Sequence, residues 1–143
     1  MSQIITQIRD DVCVMLSDGS LHPPLKPLAL YDITFNLKDL SEGRLAVMPQ
    51  AKTPTLISRG AAQKMEVKID VCVQYKFAQP TQTELDPYQE LSEQIIDKFI
   101  GKSLPSGPTC VEAAYPHGLF LHEHIKEFRV FTSVVTLTFL FAQ

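Results

Sequence analysis

The residues best suited to chemistry cluster late in the chain. They are His117, His122 and His124, with Glu123 and Glu127 beside them. In an extended segment His122 and His124 share a face, and neutral imidazoles ligate zinc or iron. A lone His-x-His pair is a weak pattern, because most such pairs are surface polar residues. A closed site needs a fourth ligand, for which Cys110 is the candidate, and no spacing in the sequence brings it there. Cys13 beside a histidine has the makings of a nucleophile and base, but it lies in an amphipathic stretch and reads as a small buried hydrophobe. The three cysteines, Cys13, Cys72 and Cys110, are odd in number, widely spaced and without a CxxC. That is neither a disulfide framework nor a zinc signature, and it suits synthesis in a reducing cytosol. No GxSxG, phosphate-binding glycine loop, HExxH or dinucleotide fingerprint occurs. The expectation is a protein that is not an enzyme, with no catalytic residue and no cofactor.

A second group is cationic. Residues 50–64, QAKTPTLISRGAAQK, hold Lys52, Arg59 and Lys64 and no acid. Within it Thr55–Ser58 is a candidate short strand; the rest, read as a long loop inside a compact domain, is functional or disordered. Arg59, between Ser58 and Gly60, can bind a carboxylate of a neighbouring subunit bidentately; the plainer alternative is a solvated arginine on a hairpin tip. Lys52, Arg59 and Lys64 are therefore candidates for a subunit or partner interface. The whole chain of 143 residues carries a net charge of −3, without the basic face expected of a nucleic-acid binder. MSQIITQIRDD lacks the basic start and apolar core of a signal peptide. The apolar stretch 130–142 is shorter than the ~20 residues of a membrane-spanning helix, so no membrane association is expected.

These groups must be positioned by the periodic segments. MEVKIDVCVQYKF (65–77) alternates strictly. Met65, Val67, Ile69, Val71, Val73, Tyr75 and Phe77 fall on one face, with Glu66, Lys68, Asp70, Cys72, Gln74 and Lys76 on the other. At about 3.3 Å per residue it would run roughly 40 Å, so it either bends around the core or projects and pairs with something. RVFTSVVTLTFLF (129–141) matches it in length and is expected to pair with it antiparallel. Ile4, Ile8, Val12 and Leu16 give a helix over 4–16, with Ser2 as its N-cap and Asp18-Gly19 as its stop. A second helix is expected over 84–100, starting at Asp86-Pro87 or Thr83 and ended by Gly101 in the left-handed conformation. LALYDITFNL (28–37) reads as a strand and RLAVMPQ (44–50) as a short strand ended by Pro49. Cys110–Tyr115 and Leu119–His122 are two further possible strands. The order predicts one α+β domain over 1–143: a mostly antiparallel β-sheet with long strands and two α-helices packed on one face.

The same order resembles the tail terminator (tail completion) proteins of long-tailed bacteriophages. The likeness is carried by IITQIRDDVCVML, YDITFNLKDL, RLAVMP, the SRG loop, MEVKIDVCVQYKF, TELDPYQELSEQIIDKFIG and FRVFTSVVTLTFLF. The proline-rich 22–27 segment and HGLFLHEH match nothing in that pattern. The resemblance implies a structural protein of the virion, at the head-proximal end of the tail, made in the host cytoplasm. It implies a homo-oligomeric ring, usually a hexamer, that caps the tail tube and ends its polymerisation. Its partners would be the tail tube protein and a head-completion or neck protein, with DNA passing through unbound. The family brings no catalytic residues. Alternatives are another head–tail joining protein, a small metal-binding protein using His117, His122 and His124, and a monomeric ligand-binding α+β domain.

Overall fold

The computed structural model describes residues 4–18, 21, 27–29, 43–56, 63–79, 81–105, 107–116 and 118–142. In chain order these form α1 (Ile4–Leu16), β1 (Pro27–Ala29), β2 (Arg44–Leu56), β3 (Gln63–Lys76), α2 (Gln82–Phe99), β4 (Thr109–Ala114), α3 (His122–Phe128) and β5 (Val130–Ala142). The strands make one sheet of order β1-β2-β3-β5-β4. β1 runs parallel to β2, and the other neighbours are antiparallel. The fold is α+β, as the alternation of segments predicts.

β3 is the centre of this sheet because every second residue is apolar. Met65, Val67, Ile69, Val71, Val73 and Phe77 are buried on one face, and Tyr75 is half-buried at its end. β5 pairs with β3 from Lys64↔Ala142 to Lys76↔Val130 without a shift, adding Phe131, Val135, Leu137 and Phe139 to the same face. Ile8, Val12 and Leu16 of α1 and Leu91, Ile95 and Phe99 of α2 close over that face. Phe99 meets Phe139 edge-to-face at 6.4 Å and 89°, a geometry favoured by the ring quadrupoles. Each of these fully buried side chains contributes about 1.5–3 kcal/mol by leaving water.

The opposite face is polar at one end and sealed at the other. Asp70 accepts from Thr136 Oγ1 at 2.7 Å, and Lys68 lies 3.9 Å from Glu66. Further along, Cys72 is buried with Ala46, Met48 and Val134 in a small second cluster. The thiol on the wet side of the alternation is therefore covered, not solvated.

Several expected boundaries move. β2 does not stop at Pro49. It continues to Leu56 and pairs with β3 as far as Leu56↔Gln63, with a register shift between Pro49 and Ala51. Proline lacks an N–H, which matters only where a second strand needs it. Pro49 stands at that register shift, and a bulge is one of the places where a sheet admits a proline. Of the candidate strand 55–58, Thr55 and Leu56 belong to β2, which also takes in residues 50–54 of the expected loop; residues 57–62 lie outside the described residues. Of the strand expected over 28–37, residues 28 and 29 belong to β1; the remainder, like the Ser2 cap, lies outside the described residues.

α2 starts at Gln82 with Thr81 as N-cap, not at Asp86-Pro87, and Pro87 lies inside the helix. The start is fixed by Glu84, whose carboxylate accepts the Ala78 and Gln79 N–H groups, both at 2.9 Å. Thr81-x-x-Glu84 has the spacing of a capping box, although the Thr81 side chain makes no cap hydrogen bond. Gly101 ends the helix at φ 75 as expected. The segment expected as a strand over 119–122 is instead a bend followed by α3, so the described residues hold three helices rather than two.

Candidate functional site

The helical geometry of α3 separates the two histidines whose shared face suggested a metal ligand pair. Residues two apart on a helix point to different sides. His122 is exposed, its ring 4.6 Å from that of Phe120. His124 is half-buried, with Nδ1 2.8 Å from Thr132 Oγ1. Cys110 is buried on β4, its thiol directed to the Glu112 carbonyl at 3.5 Å. Among the described residues no group of three or more His, Cys, Asp or Glu side chains is placed to hold a metal; His117 lies outside them. Cys13 is half-buried against the core, and its thiol is raised above the ordinary value, chiefly by burial. That fits a packing residue rather than a nucleophile.

The cationic candidates are brought to one hairpin. Lys52 stands opposite Val67, and Lys64 stands opposite Thr55 on one side and Ala142 on the other. Arg59 belongs to the 57–62 connection, outside the described residues, between the paired ends Leu56 and Gln63.

The other end of β3 carries a feature that the sequence patterns did not single out. Where β4 stops pairing, residues 118–128 wrap the free edge of β5. The Leu121 N–H donates to the Thr132 carbonyl at 2.9 Å. Phe120 packs on Phe131 at 5.8 Å on the core face, while His124 meets Thr132 on the other. Arg129, left-handed at φ 55, turns α3 into β5, and its carbonyl accepts the Phe77 N–H at 3.0 Å. Between this wrap and the first turns of α2 lies an apolar groove of about 240 Å³. Leu85, Phe120, Ile125 and Phe131 line it, with Asp86 and Gln89 also in its wall. Asp86 is exposed. The Gln89 Oε1 is buried and has no hydrogen-bond partner among the described residues. Leu119, also in the wall, is 52% exposed. Beside the groove Tyr75 and Tyr88 stack at 4.1 Å and 11°, and the Tyr75 hydroxyl donates to Glu84 at 3.3 Å. The groove suits an apolar side chain with a hydrogen-bond donor next to it.

One buried polar contact lies on the far face. Arg44 donates through Nε to Gln74 Oε1 at 3.0 Å and also through Nη2. Both residues are buried at the paired position Arg44↔Gln74, so this contact fixes strand register and offers nothing to solvent.

No family model matches this chain, and no curated protein resembles it closely enough to count as a match.

Proposed function

We propose that this chain is a structural protein of a phage or prophage virion. Copies of it form a ring that caps the tail tube, ends tube polymerisation and joins tail to head. The observation that carries the reading is the order of elements. An amphipathic helix precedes a long β2–β3 hairpin, a second helix follows it, and the closing strand β5 lies against β3. That is the α+β arrangement expected from the resemblance to tail terminators. The cationic stretch 50–64 supports it, because a ring of identical subunits needs two different surfaces that recognise each other. In this reading the partners are further copies of the chain, the tail tube protein and a neck or head-completion protein, and the protein is located at the head-proximal end of the tail.

The test is to polymerise tail tube protein with and without the purified chain and image the products by negative stain. Tubes of bounded length carrying a ring at one end are expected. Tubes that grow equally long in its presence, with no ring, would sink the reading. Rings that attach to head or neck components but not to tubes would move the assignment to another head–tail joining protein.

A further inference from the structure

The two ends of β3 carry complementary chemistry that cannot meet within one molecule. At one end Leu56 pairs with Gln63, and the chain between them is Ile-Ser-Arg-Gly-Ala-Ala. At the other end Tyr75 pairs with Phe131, which lines the groove. Gln63 and Tyr75 are twelve residue steps apart along extended strand, a distance of roughly 40 Å. We infer that the groove between α2 and the 118–125 wrap receives the 57–62 segment of a second copy of this chain. Ile57 fills the apolar part, and the Arg59 guanidinium binds the Asp86 carboxylate.

The chemistry fits on both sides. An apolar cavity of roughly 150 Å³ already holds a benzene ring, so about 240 Å³ accommodates a branched aliphatic side chain. Asp86 is the one charged side chain among the described residues lining the groove. Glu90, Glu93 and Asp97 are exposed further along α2, while residues 50–64 carry three cations and no acid. Ile57 and Arg59 are two apart, the spacing that an extended segment puts on one side. A guanidinium presents its donors in a planar fork that matches the exposed Asp86 carboxylate bidentately. The contact joins unlike surfaces at opposite ends of the molecule, so it is head-to-tail and repeats until it closes into a ring or runs on as a filament. It rests on the proposed ring and names the contact that would close it.

The test is light scattering of wild type, Arg59→Glu, Asp86→Lys and Leu119→Glu over a concentration series at low salt. Thermal melts confirm that each variant is folded, and Leu119→Glu stands in for the groove if Asp86→Lys is not. Wild type is expected to assemble, and each variant to associate about tenfold or more weakly. In an equimolar mixture of Arg59→Glu and Asp86→Lys the native tip of one variant meets the native groove of the other and the two reversed charges meet each other, so the mixture should co-assemble where neither variant does alone. The double variant Arg59→Glu/Asp86→Lys should recover assembly. Assembly unchanged in all variants overturns this contact and leaves the ring reading standing. A wild type that is monomeric at every concentration also overturns it. Filaments lost in the variants uphold the contact and count against the ring.

Discussion

At Cys72 the thiol is pushed up to about 12, chiefly by burial and against the pull of Arg44. Only the thiolate reacts, so alkylation with iodoacetamide at pH 8, mapped by mass spectrometry, should leave Cys72 unmodified in the folded protein and label it in urea. Labelling of native Cys72 at the urea rate would contradict its burial among Ala46, Met48 and Val134. Glu84 shows the opposite shift. Its carboxyl is held below the usual range by the Ala78 and Gln79 N–H bonds, and its hydrogen bond from Tyr75 acts the same way. A depressed carboxylate stabilises the fold fully above its unfolded pKa of roughly 4.3, and that contribution is lost as pH falls through the folded value. Glu84→Gln should therefore lower Tm at pH 7 and shrink the loss of stability on acidification below about pH 4. An unchanged acid limb would mean that the carboxylate does not anchor the start of α2.

Among the elements, those with unbroken periodicity were legible in the sequence and those decided by a neighbour were not. α1 runs over Ile4–Leu16 as its i, i+4 stripe predicts, and β3 and β5 pair along their full alternation. Pro49 misled because a proline reads as a stop, whereas here the strand shifts register beside it and runs on. α3 has seven residues, too few to show a helical period, and only Glu123 near its start and Lys126 near its end hint at it. The groove was invisible for a related reason. Its wall joins the first turns of α2, the 118–125 wrap and Phe131, which are brought together by long-range pairing rather than by any local motif. The glycine that ends α2 gives an element-scale test. A Cβ at Gly101 meets nothing within 4 Å, so the cost of Gly101→Ala is the φ of +75 alone. It should destabilise the protein by about 1–2 kcal/mol, measurable by urea denaturation, while Gly101→Asn, which tolerates the left-handed region, should cost less.

For the whole molecule, net charge bears on the partners proposed above. The net charge is −3, and DNA affinity is built from phosphate contacts. The chain should show no binding to duplex DNA at physiological salt in a fluorescence anisotropy titration. A micromolar, salt-sensitive isotherm would contradict both the charge argument and the proposed ring through which DNA passes unbound.

The order in which a ribosome makes these strands differs from the order in which the sheet holds them. β5 is the last described strand to be synthesised, yet it lies between β3 and β4. Until Val130–Ala142 emerges, β3 has an open flank and β4 has no strand to lie against. The nascent chain must wait with its longest apolar strand half-paired. The decisive pairing waits for residues 130–142, and a chain stalled before residue 130 presents a template into which a stray strand, or a supplied 130–142 peptide, could add itself.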